Sequence, residues 1–277
     1  MLLGPNQVAV VTGAASGIGR AVSSALAARG LMVLMLDVEQ DSLDVAAADI
    51  RSTTGAVVDA LQLDVTDGTR FEEVRDHVLD HWGRVDLLCS IAGVIGPRMP
   101  TWEQRPQDWR WVLDVNLGGV INALNAFLPT MVSAGRGHVL AVSSIAGLAP
   151  VTNGGNAPYA ASKYAVLGLL ETLQVELVAN AIDIGVTVVC PGPVDTRIRD
   201  AERNRPSPLA VPDRPSAVLG AFDNTTPSLS PEHVAARVLD AIEQDRLLLV
   251  PSPGPTDHAR ARIERVLADL AWSDQQS

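Results

Sequence analysis

A tyrosine and a lysine four positions apart, Tyr159 and Lys163, stand in the stretch Pro158-Tyr159-Ala160-Ala161-Ser162-Lys163-Tyr164. The stretch holds both tyrosines of the protein and its only lysine; the other 20 of its 21 Lys and Arg residues are arginine. The apolar run 165–170 behind it predicts a helix, on which Tyr159 and Lys163 share a face while Tyr164 is rotated away. A phenol has a pKa of ~10 in water and is a poor acid or base near neutrality. An ammonium one helical turn away favours the phenolate and is expected to draw that pKa down. The compact charge of a lysine suits this better than a diffuse guanidinium. The spacing alone also arises by accident on helices, so other positions have to carry the reading.

Those positions lie at the ends of predicted strands. Gln7-Val8-Ala9-Val10-Val11 is a β-branched run that ends in Thr12-Gly13-Ala14-Ala15-Ser16-Gly17-Ile18-Gly19, with a helical pattern over 20–29. Strand, glycine turn and helix aim backbone N–H groups and the positive helix end at a phosphate. Gly13 allows the tight turn, Gly17 lets a pyrophosphate approach, and Gly19 lets the helix pack on the strand. Asp37 closes the next apolar strand, 31–36, and is placed to accept the hydroxyls of an adenosine ribose and repel a 2′-phosphate. No arginine stands at 15, 16 or 38 to receive that phosphate, so NAD is favoured over NADP. Asp64-Val65 follows the third strand, 56–63, where an adenine ring would lie. Ser143-Ser144 ends a fifth strand over 138–142, and without a Gly-x-Ser-x-Gly elbow Ser144 reads as a hydroxyl donor to a substrate oxygen.

Strands at 85–91, 184–189 and 247–250 and helices over 40–54, 67–82, 232–244 and 256–271 complete an alternation that predicts an α/β, doubly wound parallel sheet of about seven strands in a single domain. Trp102, Trp109 and Trp111 precede a helix bearing Asn116 and read as packing or interface residues. His77 and His81 share a helix face but stand among Arg75, Asp76 and Asp80, which reads as a solvated surface, not a metal site. From 197 to about 229 five prolines and five arginines dissolve the periodicity, the mark of a lid or binding loop as much as of a surface excursion. Its arginines 197, 199, 203, 205 and 214 could receive an acidic substrate, although solvent exposure is the favoured expectation.

With 47% hydrophobic and 19% charged residues the chain can bury a substantial core, and its net charge of −11 argues against nucleic acid or anionic membrane as partner. Cys89 and Cys190 each end an apolar run and read as buried free thiols of a reducing compartment. Neither a signal peptide nor an unbroken apolar run of ~20 residues is visible, which leads to the expectation of a cytoplasmic protein.

Taken together, Thr12-Gly13-x-x-x-Gly17-x-Gly19, Asp37, Asp64-Val65, Ala92-Gly93, Asn116, Ser143-Ser144, Tyr159-x-x-x-Lys163 and Pro191-Gly192-Pro193-Val194-Asp195-Thr196 resemble the short-chain dehydrogenase/reductase family in its single-domain branch. The match runs in family order over 8–196; the remainder follows only in pattern. The resemblance implies hydride transfer between a nicotinamide and the carbinol carbon of a small-molecule alcohol or ketone. Tyr159 would be the general acid/base, Ser144 would orient the substrate oxygen, and Lys163 would hold the ribose hydroxyls and lower the Tyr159 pKa. Asn116 would carry a proton relay through water, and Val194 and Thr196 would dock the carboxamide. Pro191, Gly192, Ser16 and Ile18 join the glycines, Asp37, Asp64, Val65, Ala92 and Gly93 as cofactor contacts. Enoyl reduction and sugar epimerisation fit the spacing and chain length less well, and a non-enzymatic NAD-binding sensor on the same fold is the rival of a different kind.

Three departures stand out. Ser90-Ile91-Ala92-Gly93 replaces the usual Asn-Asn-Ala-Gly, which leaves side-chain hydrogen bonds there open. Asn153-Gly154-Gly155-Asn156 makes the loop before Tyr159 slightly long. The chain also ends in a helix instead of the Asp-Gly-Gly common in tetrameric members, so a homodimer or a homotetramer is expected, with the tetramer weakened.

Overall fold

Val8–Thr12 (β1) alternates its side chains across the sheet, as any extended strand must. Val8 and Val10 face one layer and Ala9 and Val11 the other, and all four are fully buried. Both faces of this strand are apolar, so both must be covered, and the chain does so with helices. The computed structural model describes residues 1–150, 154–210, 227–252 and 256–274. After β1 come Gly17–Ala28 (α1), Met32–Asp37 (β2), Gln40–Thr54 (α2), Val58–Gln62 (β3), Gly68–Trp82 (α3) and Leu87–Ser90 (β4). Pro106–Leu113 (α4), Gly119–Ala134 (α5), Arg136–Val142 (β5), Ala157–Ala179 (α6) and Asp183–Val189 (β6) follow, then Pro231–Glu243 (α7), Leu248–Leu249 (β7) and Thr256–Asp274 (α8).

All neighbouring strands pair in parallel, in the order β3-β2-β1-β4-β5-β6-β7. The expected seven-stranded, doubly wound sheet is present as one domain, with strand boundaries shifted by one or two residues at most ends. One helical layer, α1, α2 and α7, buries Leu26, Ile50, Val238 and Ile242 against Val11, Met35 and Leu140. The other, α3, α5 and α6, buries Phe71, Phe127, Val166 and Leu170 against Val10, Leu34, Leu88 and Val186. Strand order reverses between β1 and β4, and in such sheets a crevice opens there at the carboxyl ends of the strands.

Between α4 and α5 the helical run passes through a π-turn at Asp114–Gly118. The whole run Pro106–Ala134 is long and apolar enough, by length and composition, to cross a membrane. Here one face of it packs into the core through Trp111, Val112, Ala123 and Phe127, while Ile121 and Val132 are exposed. The irregular segment expected from 197 onward has a 3-10 run at Arg197–Asn204, broken at Asp200, and a 3-10 turn at Ser207–Leu209. A parallel bridge joins Val194 to Leu229. Positions 211–226, with Arg214, and 151–153, with Asn153 of the extended loop, lie outside the described residues.

Candidate active site

A cleft of about 1110 Å³ opens over the carboxyl ends of β1, β2, β4, β5 and β6. Gly13, Ser16, Gly17, Ile18, Gly19, Asp37, Asp64, Val65, Ala92, Gly93, Pro191, Gly192, Val194 and Thr196 line it, together with Ser144, Tyr159 and Lys163. Parallel strands ending side by side bring these scattered positions to one edge.

The glycine turn is built for close approach. A Cβ at Gly19 would stand 2.1 Å from the Gly13 carbonyl oxygen, and one at Gly17 2.9 Å from Thr196 Cγ2. At Gly13 a Cβ would meet the Ala92 backbone at 2.8 Å. Thr12 ties the neighbouring strand in: its Oγ1 accepts from the N–H groups of Ile91 (3.0 Å) and Ala92 (3.2 Å). The backbone of the unusual Ser90-Ile91-Ala92-Gly93 stretch is therefore fixed by Thr12, while the buried Ser90 hydroxyl has no partner among the described residues. Asp37 receives the Ala15 N–H on Oδ2 and the Glu39 N–H on Oδ1, both at 3.0 Å. Burial raises its pKa against the pull of these two backbone donors.

Across the cleft, α6 carries Tyr159 and Lys163 on one face, with Lys163 Nζ 5.6 Å from the phenol ring centre. Lys163 is buried and Tyr159 half-buried. Lys163 Nζ donates to the Val142 carbonyl at 2.8 Å, and burial lowers its pKa to about 8. Burial also raises the Tyr159 pKa; a hydrogen bond with Ser144 opposes this, and the charge of Cys190 adds to it. The expected lowering of the phenol by the ammonium is thus reversed in the protein by itself. Two groups that ionise in opposite senses, placed in one low-dielectric wall, are each driven toward neutrality.

Asn116 is buried. It does not line the cleft, and its amide is engaged on both sides: Oδ1 accepts the Val94 N–H (2.8 Å), while Nδ2 donates to Val94 O and to Ser162 Oγ (both 3.0 Å). Ser162 in turn donates to the Tyr159 carbonyl at 2.7 Å. Asn116 therefore clamps the loop after β4 onto the helix of Tyr159.

Sequence reasoning missed Ser162 and Val94, and it missed the position of Cys190. The buried Cys190 thiol hydrogen-bonds Ser143 and the Ser144 backbone, and its pKa is pushed up to about 11, chiefly by burial. Trp111, read as packing, is buried and also lines the cleft, while Trp102 is exposed. Of the arginines offered to an acidic substrate, Arg205 lies over the Trp111 ring at 4.1 Å and pairs with Asp108 (2.8 Å) and Glu202 (2.7 Å). Arg197 and Arg203 pair with Glu39. All three pair with carboxylates of the chain itself; Arg197 and Arg203 are exposed, in line with the favoured expectation, whereas the Arg205 side chain is buried. His77 Nε2 lies 2.9 Å from Asp59 Oδ2, and its ring stacks near His81 at 4.1 Å; no cluster that could hold a metal occurs among the described residues.

A family model described as short chain dehydrogenase matches residues 7–207. The chain is 37% identical over 245 residues to 1-deoxy-11-beta-hydroxypentalenate dehydrogenase of Streptomyces exfoliatus, covering 88% of this chain and 82% of that protein. A short-chain dehydrogenase/reductase from Burkholderia phymatum, solved in complex with NAD, superposes with a TM-score of 0.91 at 32% identity over 97% of both chains. An alcohol dehydrogenase of Thermococcus sibiricus, complexed with 5-hydroxy-NADP, reaches 0.72 at 26% identity over 88% of this chain and 95% of its own. With the fold, the cleft and these likenesses in agreement, this protein belongs to the short-chain dehydrogenase family of NAD(P)-binding oxidoreductases.

Proposed function

We propose that the protein moves a hydride between NAD and the carbinol carbon of an apolar secondary alcohol, or the corresponding ketone, with Tyr159 as general acid/base. The observation that carries this is the half-buried Tyr159 phenol, hydrogen-bonded with Ser144 and facing the same cleft as the glycine turn and Asp37. The residues present fit a dinucleotide: the turn is stripped of side-chain atoms at Gly13, Gly17 and Gly19, and a carboxylate stands at the end of β2. When bound, the nicotinamide supplies the hydride or accepts it.

The chain's own residues do the rest. Ser144 and Tyr159 grip the substrate oxygen from one side. In ketone reduction the Tyr159 hydroxyl gives its proton to that oxygen, and in alcohol oxidation the phenolate takes the proton back. Lys163, fixed by the Val142 carbonyl, would hold the ribose hydroxyls, and Asp37 those of the adenosine end. Asn116 and Ser162 position the Tyr159 helix. Val94, Ile95, Trp111, Ile145, Ile198 and Leu209 give the rest of the wall an apolar character, which supports an apolar substrate body. The hydroxy compound named in the Streptomyces exfoliatus relative supports the same reaction class. Val175 and Val178, both 68% exposed on α6, support a homo-oligomer, and the two buried free thiols support a reducing, cytoplasmic setting.

The test is NADH formation from NAD over a panel of apolar secondary alcohols, wild type against Tyr159→Phe. The expected loss of kcat in the variant is roughly 10²–10⁴-fold, the range of general acid–base catalysis, with NADH binding retained. Turnover within twofold of wild type would move the proton chemistry to another residue.

A further inference from the structure

Two residues beyond Asp37, Glu39 opens α2, and its carboxylate gathers donors from a segment more than 150 positions away. Arg203 reaches Glu39 Oε1 through Nε (3.0 Å) and Nη2, Asn204 Nδ2 donates to the same oxygen (2.9 Å), and Arg197 Nη2 donates to Oε2 (3.2 Å). Arg203 also braces its own segment, donating from Nη1 to the carbonyls of Asp200 (2.9 Å) and Arg197 (3.1 Å). The carboxylate is 19% exposed and Arg203 29%. Burial opposes the charge on Glu39, but the Arg203, Asn204 and Arg197 donors overcome it and hold its pKa below the usual carboxylate range.

The same segment is pinned at two further points. Val194 bridges to Leu229, and Thr196 sits against Gly17, where no Cβ intervenes. From Thr196 to Asn204 it therefore crosses from the glycine turn to the end of β2. Thr196, Arg199, Arg203 and Asn204 line the cleft along the way, opposite Asp37. A dinucleotide held by the glycine turn and Asp37 would lie under this crossing.

We infer that Glu39 is a positioning residue that straps the Arg197–Asn204 segment over the adenosine end of the cleft, so that opening of this tie controls entry and release of the dinucleotide. The inference rests on the cofactor reading above. It also follows that release responds to salt, because a partly exposed ion cluster is screened.

Stopped-flow fluorescence of NADH release tests it, using the full-length wild type, Glu39→Gln, Arg203→Met and the double variant at low and high salt. Each single variant should release NADH ~3–10-fold faster at low salt, and the double variant no faster than the quicker single one, as for two halves of one contact. Salt should accelerate release from the wild type most, from Arg203→Met less because Arg197 still pairs with Glu39, and leave Glu39→Gln and the double variant unchanged. A release rate that is equal in all four proteins, or additive effects of the two substitutions, overturns the strap while NADH binding keeps the cofactor reading intact. A wild type that binds no NADH overturns both. Arg203→Met approaches the tie from the far side, so a misfolded Glu39→Gln does not rescue the inference.

Discussion

Lys163 and Tyr159 show how burial overrides a simple pairwise argument. An ammonium beside a phenol ought to favour the phenolate, yet both groups leave water together, and desolvation dominates each. At neutral pH the phenol is the stable form, which suits proton donation to a ketone. At Asp37 two backbone N–H groups support the charge, but burial prevails over them and raises the pKa. The neighbouring Arg203 and Arg197 are engaged by Glu39, which leaves Asp37 as the charge that discriminates at the ribose. Asp37→Ala should therefore raise the ratio of kcat/KM with NADP to that with NAD by ~10–100-fold, the worth of a charge-assisted hydrogen bond. Initial rates with the two cofactors check this, and an unchanged ratio removes Asp37 from the role.

At the scale of elements, the site depends on two abrupt junctions. The π-turn at Asp114–Gly118 presents Asn116 inward, where its amide can tie Val94 to Ser162; π-turns within helices often mark such places. The junction of β1 and α1 depends on Gly19. A methyl there would press on the Gly13 carbonyl and its carbon at 2.1 and 2.6 Å, and backbone cannot step aside as a side-chain end can. Gly19→Ala should displace the start of α1, costing ~1–3 kcal/mol of stability as overpacking does and weakening NADH affinity. Denaturant midpoints and fluorescence titration read the two effects. The glycine's need was legible in the spacing of the turn; the π-turn was not, because it depends on how α4 and α5 pack, and no local pattern encodes that.

At the scale of the molecule, two apolar layers on one sheet leave little room for charge, and His138 shows the consequence. It lies fully buried on β5, its Nε2 donating to Thr187 Oγ1 at 2.8 Å while that hydroxyl donates to the Arg246 carbonyl. Nδ1 has no partner among the described residues, and burial pushes the pKa down to about 3 from an ordinary 6.5. The unfolded chain takes up this proton as pH falls below 6.5 and the folded chain does not, so stability declines from there to about pH 3. His138→Gln should make that decline shallower by one proton, about 1.4 kcal/mol per pH unit. Denaturant unfolding between pH 6 and 4 measures the slope, and equal slopes would show that His138 does not set it.

Hydrophobic periodicity and strand-end chemistry are properties of short stretches, so the sequence by itself determined the sheet, its helices, the glycine turn, Asp37, Ser144 and the Tyr159–Lys163 face. What lies across 22 to 165 positions only the tertiary structure decided. It spent the Asn116 amide on Val94 and Ser162, set Cys190 beneath the two serines, and paired Arg197 and Arg203 with Glu39. It also set the direction of the Tyr159 and Lys163 shifts. Ion pairs, clamps and desolvation arise from which surfaces the folded chain brings together and seals from water, and a linear pattern holds no record of that.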